Sequence, residues 1–201
     1  MFTEQQEKWL KRVEDLFLRY GIKSISMDDV ARELGISKKT LYQFVGSKDD
    51  LVNKMLERHI AEEKNLCHQV SGVAENAVEE MFMVIESNAQ QLQQMKTNIV
   101  YDLQKYHHDA WEKMQDYQRN FLYRIVLANL ERGIREGLYR TGFDPDIVAK
   151  LHIAMSFQLF DENIFPQNTY PKATLFHEYL THYLYGVVSD KGLQLLKAKL
   201  S

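Results

Sequence analysis

Apolar residues recur along most of the chain at spacings of three and four, the pattern of α-helices that bury one face. In the first such segment the predicted buried face consists of Trp9, Val13, Leu16, Phe17 and Tyr20. Only three prolines occur, and all of them follow residue 144, so breaks between segments are few. We therefore predict an all-α fold, with helices over residues 4–20, 27–34, 38–45, 47–70, 74–94, 97–107, 109–138, 144–163, 172–188 and 190–200.

Capping residues are concentrated in the first fifty positions. Serine side chains accept the unpaired N–H groups at helix starts, and glycine adopts the left-handed backbone at helix ends. Such residues stand at successive predicted boundaries: Gly21, Ser26, Gly35, Ser37, Gly46 and Ser47. We predict a compact domain of short helices over residues 1–48 and a domain of longer helices over 49–201, connected by helix 47–70.

The overall charge argues against one class of function. Lys and Arg number 25 against 28 Asp and Glu, a formal net charge of −3. A protein that coats nucleic acid through overall positive charge is therefore excluded. Residues 35–48, however, contain Lys38, Lys39 and Lys48 and no acidic residue. This predicts one local basic surface, on the third short helix and the residues that follow it.

Cysteine content and hydropathy indicate the compartment. Cys67 is the single cysteine, so no internal disulfide can form, which fits a reducing compartment. No apolar run approaches the length of a membrane span. We expect a cytoplasmic protein that does not contact the membrane. No spacing of Cys or His residues indicates a metal site, and no cofactor is predicted.

Helix 27–34, the turn Gly-Ile-Ser and helix 38–45 follow one another in the order of a helix-turn-helix. Apolar residues such as Val30, Leu34 and Leu41 would pack the two helices together. The outer face of the second helix would then present Lys38, Lys39, Tyr42 and Gln43, at spacings i, i+1, i+4 and i+5. Lysine and tyrosine reach phosphates, and glutamine can pair with adenine through two hydrogen bonds.

The stretch SMDDVARELGISKKTLYQFVGSKDDLV (26–52) resembles the DNA-binding signature of the TetR family of bacterial transcriptional regulators. The resemblance runs from the first helix through Leu51, and the later segment FHEYLTHYLYGVVSDKG also looks family-like. This chain departs from the family pattern at Val45, where the family usually has an aromatic residue. Because Val45 is predicted to face inward, the departure concerns packing rather than DNA contact.

The resemblance implies roles for individual residues. Ser26 would contact a phosphate at the start of the second helix, and Tyr42 and Lys48 would hold the DNA backbone. From the residues themselves, Ser37 leaves backbone N–H groups at a helix start that suit a phosphate. The residues implied to face the major groove are Lys38, Lys39, Thr40 and Gln43.

The resemblance also implies that the second domain binds a ligand and forms a homodimer. Helices 144–163 and 172–188 would pair with their symmetry mates, and both are more apolar than one core requires. A large monomer core is the alternative explanation. The implied function is a repressor that binds a palindromic double-stranded DNA operator as a homodimer and is released by an unidentified small-molecule effector.

A ligand pocket is predicted from aromatic and polar positions in the longer helices. Aromatic residues are frequent between positions 101 and 123, and His152 and Ser156 are polar positions on an otherwise apolar helix. Polar groups on a buried helix need partners, which a pocket, a dimer interface or a satisfied core network would supply. The predicted pocket residues are Phe82, Tyr101, Tyr117, Phe121, His152, Met155 and Ser156.

Two other classes of function, an enzyme and a protein-interaction module, are alternatives for a helical chain of this kind. The segment HEYLTH (177–182) is close to a zinc-protease motif, but its histidines are five residues apart and therefore about 140° apart around a helix. No histidine has a glutamate three residues before it, as a di-iron bundle would require. We therefore predict no catalytic residues and no enzyme. A helical-bundle enzyme and a helical protein-interaction module without DNA binding remain the alternatives.

Overall fold

The chain forms α-helices joined mostly by short connections. The computed structural model describes residues 2–94, 99–166 and 168–200, with the side chains of 85, 86, 88–94 and 200 outside the description. Its helices are α1 (Glu4–Tyr20), α2 (Met27–Leu34), α3 (Lys38–Phe44), α4 (Lys48–Val73), α5 (Ala77–Gln94), α6 (Ile99–Tyr106), α7 (His108–Asp116), α8 (Tyr123–Arg135), α9 (Pro145–Gln158), α10 (Lys172–Val187) and α11 (Asp190–Leu200).

Strand structure within the described ranges is limited to one isolated bridge, between Tyr139 and Val188. The predicted all-α fold is therefore confirmed. None of the helices described is long and apolar enough to cross a membrane.

The fold divides into two compact units. Unit 1 contains Met1–Lys64 and Gln94–Gln115, and unit 2 contains Asn65–Gln93 and Asp116–Ser201. This division differs from the predicted boundary at residue 48, because the first part of α4, together with α6 and α7, packs with the N-terminal helices. The functional division into residues 1–48 and 49–201 stays a prediction.

Helix α1 supplies one wall of the unit 1 core. Thr3 and Gln6 form a capping box at its start, and Gly21, with φ 82°, ends it. The buried face differs from the predicted one at its end, because Tyr20 is exposed. The core contains residues of α1 to α4, α6 and α7: Leu10, Val13, Phe17, Ile22, Met27, Val30, Ala31, Leu34, Leu41, Val45, Leu51, Val52, Met55, Leu56, Leu103 and Ala110.

The predicted boundaries of four long helices need correction. The predicted helix 144–163 ends at Gln158, and the ammonium of Lys172 donates to the carbonyl oxygen of the next residue, Leu159, at 3.0 Å. That carbonyl is the one an α-helix would pair with the N–H of Asn163, which instead donates to the Asp161 carboxylate at 2.8 Å. The connecting helix runs over 48–73 rather than 47–70, helix 172–188 ends at 187, and helix 74–94 begins at 77.

The predicted helix 109–138 is interrupted. Residues Tyr117–Leu122 form a π-helical turn between α7 and α8, and α8 ends at Arg135. The end is set by Gly133, whose carbonyl oxygen accepts the N–H groups of both Leu138 and Tyr139. The predicted helix 97–107 is described from residue 99 to 106, and its residues 97 and 98 lie outside the described ranges.

Candidate nucleic-acid interface

Short-range capping interactions build the two helices of the predicted helix-turn-helix. The Ser26 hydroxyl accepts the Asp29 N–H at 3.2 Å, and the Asp29 carboxylate accepts the Ser26 N–H at 3.0 Å. Gly35 ends α2 with φ 70°, a left-handed conformation that favours glycine. The Ser37 hydroxyl then accepts the Thr40 N–H at 3.0 Å and starts α3. Each boundary of α2 and α3 is therefore set by residues within a few positions of it.

The buried side of α3 determines which of its side chains remain exposed. Leu41 and Val45 are fully buried in the unit 1 core, and Phe44 packs at the edge of that core. Val45 itself is extended, with φ −133° and ψ 140°, so α3 ends at Phe44, one residue before the predicted end. The inward position predicted for Val45 is confirmed.

The opposite side of α3 is polar. Lys38, Lys39, Tyr42 and Gln43 are all exposed. Among the described residues, the side chains of Lys39 and Gln43 make no hydrogen bond or ion pair. Lys38 differs, because its ammonium lies 2.9 Å from a carboxylate oxygen of Asp28. This hydrogen bond raises the pKa of Lys38.

Two of the predicted contact residues serve as caps, and a third contacts one of these caps. The hydroxyls of Ser26 and Ser37 both accept backbone N–H groups, and Thr40 is half-buried with its hydroxyl 2.8 Å from that of Ser37. Thr40 was predicted to face the groove. Its hydroxyl pairs with that of the capping serine, and its contact with the groove stays a prediction.

Lys48 lies in the first turn of α4 and is half-buried. Burial lowers its pKa, although the negative charges of Asp102 and Asp49 oppose that shift. The turn before it is held by Asp50, whose carboxylate accepts the Gly46 N–H at 2.8 Å and whose own N–H donates to Ser47 at 3.1 Å. The lysine is therefore held close to the end of α3.

Sequence reasoning missed a set of contacts between the N-terminal helices and α6. The Lys23 N–H donates to the Asp102 carboxylate at 3.0 Å, and the Lys23 ammonium donates to the Tyr106 hydroxyl at 3.1 Å. The ring of His107 lies 2.5 Å from a carboxylate oxygen of Asp49. These partners are 58 to 83 positions apart in the chain, so no local pattern could have indicated them.

The predicted ligand residues belong to both compact units, and their role in one pocket stays a prediction. Tyr101 lies in unit 1, is exposed, and accepts a hydrogen bond from Lys105 at 2.6 Å. Met155 is 51% exposed on α9. Phe82, Tyr117, Phe121, His152 and Ser156 lie in unit 2, where the described aromatic contacts of these residues fall into two groups.

One of these groups surrounds the π-helical turn. Tyr117 stacks on Phe121 with ring centroids 5.5 Å apart, and His68 meets Phe121 edge-on at 5.7 Å. Gln118, which sequence reasoning did not select, is only 7% exposed, and its amide nitrogen has no hydrogen-bond partner among the described residues. A buried donor of this kind is uncommon, and π-helical turns are frequent at functional sites.

The second group joins α9 and α10. His152 stacks on Tyr179 with centroids 5.2 Å apart, and its Nδ1 lies 2.8 Å from the Tyr179 hydroxyl. Burial lowers the pKa of His152 to about 4, so this ring is neutral at pH 7. Ser156 donates to the Ile153 carbonyl at 2.8 Å and is therefore satisfied within its own helix. No cluster of three potential metal-ligating residues occurs in the part of the chain described.

A capped helix pair with a buried inner side and an exposed polar second helix defines a helix-turn-helix protein. The family described as "Bacterial regulatory proteins, tetR family" matches residues 10–55. A curated relative, the uncharacterized HTH-type transcriptional regulator YvaF of Bacillus subtilis (strain 168), is 30% identical over 159 residues, covering 79% of this chain and 78% of the relative. The chain belongs to the TetR family and is a DNA-binding transcriptional regulator, not an enzyme.

Solved structures share the fold at low sequence identity. A TetR-family regulator from Agrobacterium tumefaciens has a TM-score of 0.76 at 16% identity, covering 92% of this chain and 98% of that one. A regulator from Saccharomonospora viridis, solved in complex with choline, has a TM-score of 0.73 at 17% identity, with 92% and 97% covered. Similarity at this level of identity concerns the arrangement of helices, not the ligand.

Proposed function

We propose that the protein is a homodimeric repressor. Two copies bind a palindromic operator through their α3 helices, and a small molecule bound in unit 2 releases the DNA. The observation that carries this proposal is the exposed face of α3, where Lys39 and Gln43 have no partner among the described residues. Because the opposite side of the helix is packed, these two side chains are available to base edges and phosphates.

The proposed DNA contacts fall into two groups. Gln43 reads an adenine in the major groove, with Lys39 beside it. Tyr42 and Lys48 hold the backbone, and Lys38 contributes less because Asp28 already neutralises it. The other predicted DNA-contact residues support the interface mainly by fixing the starts of α2 and α3. They are Ser26, Ser37 and Thr40. The proposed place of action is the cytoplasm.

An apolar stripe on α9 supports the homodimer. Ile147, Leu151 and Met155 lie four residues apart on one side of the helix, and each is more than half exposed. Exposed apolar surface of this kind is typical of protein–protein interfaces. A two-fold partner would place the same stripe against itself, with an exposed Tyr185 of α10 adding to the surface. Two half-sites would then lie about 34–36 Å apart on the DNA.

The group around the π-helical turn supports a ligand site. The stacked rings of Tyr117 and Phe121 offer an apolar surface, and Gln118 offers a buried hydrogen-bond donor without a partner among the described residues. We infer that the effector is an uncharged molecule with an apolar body and one hydrogen-bond acceptor. Its coupling to DNA binding would be worth about 1–3 kcal/mol.

The first test is selection of bound sequences from random duplex DNA, at two salt concentrations. We expect recovery of a palindrome with half-sites about one helical turn apart. No enrichment from folded, dimeric protein would contradict the proposal, provided that a copurified ligand has been removed by unfolding and refolding. That result would instead favour the interaction-module alternative.

Replacing Gln43 by Ala is expected to relax base preference at one position in each half-site. The glutamine amide can make two hydrogen bonds to adenine, worth about 1–3 kcal/mol of discrimination against another base. Competition titration with the selected operator and its single-base variants measures the change. Uniform weakening on every duplex would instead show that Gln43 contacts the backbone.

Replacing Phe121 by Trp is expected to raise the effector concentration needed for release roughly fivefold or more, while binding to DNA without effector is unchanged. The larger ring would occupy space beside Tyr117 and Gln118. The measurement is release of labelled operator by a compound recovered from a screen of uncharged aromatic molecules. Leu195→Trp, at an exposed position of α11, is the control. An unchanged response would remove Phe121 from the proposed site.

A further inference from the structure

We propose that Lys23 and Lys105 form a second phosphate-binding patch, which extends the DNA interface from the helix-turn-helix onto α6. The patch consists of Lys23, Tyr101, Lys105 and Tyr106. This inference rests on the proposed DNA-binding function and adds contacts that neither the motif nor the sequence pattern indicates.

The geometry holds the two ammonium groups in place. The Lys23 ammonium donates to the Tyr106 hydroxyl at 3.1 Å and lies 4.9 Å from the centre of that ring. Lys105 donates to the Tyr101 hydroxyl at 2.6 Å and lies 5.6 Å from the same Tyr106 ring. Two cations therefore share one aromatic ring, and all four side chains are exposed.

Neither of these lysines has a carboxylate within ion-pair distance among the described residues. The other lysines of unit 1 commonly have one, and the pairs are Lys8–Glu4, Lys11–Glu14, Lys38–Asp28, Lys54–Asp50 and Lys113–Glu57. The proposed DNA contacts Lys39 and Lys48 share this lack of a carboxylate partner. Two cations around one ring repel each other, and an anion bound near both would offset that repulsion.

The patch adjoins the proposed phosphate contacts of the helix-turn-helix. Lys23 lies three residues before Ser26, the cap of α2. The Asp102 carboxylate, which accepts the Lys23 N–H, also lies close enough to Lys48 to affect its pKa. The starts of α2 and α4 and the end of α6 are therefore neighbours within unit 1.

The chemistry of the patch fits a phosphate of the DNA backbone. Lysine ammonium and tyrosine hydroxyl groups are common donors to phosphate oxygens. The Tyr106 hydroxyl accepts a hydrogen bond from Lys23, so its own proton can be donated to an anion. The nearby acidic groups, Asp102 and Asp49, are each engaged by a donor, Lys23 N–H and His107 respectively. No base-specific geometry is present, so the contact would not depend on DNA sequence.

The test uses the full chain, with Lys23→Gln, Lys105→Gln and the double variant. Affinity for the selected operator duplex is measured over a range of salt concentrations. Each single substitution removes one phosphate contact from each protomer, so we expect the slope of log K against log salt for the dimer to fall by about 1.8, and binding to weaken roughly five- to tenfold near 0.1 M salt. Base preference should stay as in the unsubstituted protein.

Two further variants make the result decisive. Lys48→Ala is the positive reference for loss of one phosphate contact, and Lys197→Gln, exposed on α11, is the matched control for charge alone. If the slope of log K against log salt is the same for the double variant as for Lys197→Gln, the proposal of a second phosphate-binding patch is wrong. If the unsubstituted protein binds no duplex, the proposed function fails instead, so the two failures are distinguishable.

Discussion

Replacing Leu151 by Glu is expected to convert the protein from a dimer to a monomer and to weaken operator binding by roughly a hundredfold or more. Leu151 is 59% exposed and lies at the centre of the stripe formed with Ile147 and Met155. In the proposed dimer a glutamate there would lie next to its symmetry mate in an apolar interface. Burying two like charges without partners costs several kcal/mol.

The weakening of DNA binding follows from the loss of linkage between half-sites. In a dimer the second half-site is bound intramolecularly at a high effective concentration, whereas a monomer binds each half-site separately. Sedimentation gives the oligomeric state, and titration of the selected operator gives the affinity. Gln194→Glu, at an exposed position of α11, carries the same charge change and should leave both unchanged. A Leu151→Glu protein that remains dimeric with full affinity would place the dimer interface elsewhere.

Replacing Glu14 by Ala is expected to lower the free energy of unfolding of unit 1 by about 3–5 kcal/mol. Glu14 of α1 and Arg58 of α4 are both buried, with carboxylate and guanidinium 2.8 Å apart. The second oxygen of Glu14 lies 2.8 Å from Nδ1 of His59. Without Glu14, Arg58 loses its buried partner and keeps the more exposed Glu7 and Glu62.

Thermal and denaturant unfolding measure this loss. Glu4→Gln removes an exposed pair with Lys8 and should change stability by less than about 0.5 kcal/mol. Combining Glu14→Ala with Arg58→Met removes both buried charges and should recover part of the loss. A Glu14→Ala protein as stable as Glu4→Gln would show that the buried pair does not stabilise the unit.

The pH dependence of the free energy of unfolding gives a second test of the buried contacts between Glu14, Arg58 and His59. Burial by itself would raise the pKa of Glu14, but the hydrogen bond with His59 and the positive charges of His59, Lys11 and Arg58 outweigh it and lower the pKa to about 2. Since the ordinary value is 4.5, the stabilisation is complete above that pH and is lost as the pH falls towards 2. Glu14→Gln should therefore flatten the decline of stability over this range.

The helix-turn-helix could be predicted closely from the sequence because its boundaries are local. Ser26, Gly35 and Ser37 act on backbone groups within three or four positions, so the residues that set each boundary also appear beside it in the chain. The side chains facing outward on α3 then follow from the helical period once Leu41 is assigned to the core. The helical period does not indicate the contact between the hydroxyls of Thr40 and the Ser37 cap.

Longer-range contacts decided what the sequence could not indicate. Just after the end of α9, the Leu159 carbonyl accepts a hydrogen bond from Lys172, 13 positions later in the chain. The residues of the π-helical turn, Tyr117–Leu122, have the same apolar spacing as an α-helix, so the sequence could not indicate the turn. The predicted pocket residues Tyr101 and Met155 were chosen by type and spacing, whereas exposure depends on which helices pack against them.

By itself, the sequence determined the all-α class, the bounds of the first two helices, the start of α3 and the exposed face of α3. These features depend on hydrogen bonds and periodicities that span a few residues. Only the tertiary structure brought Glu14 to Arg58, 44 positions away, and Lys23 to Tyr106, 83 positions away. Such pairs depend on how whole helices pack, and many different packings would satisfy the same local pattern.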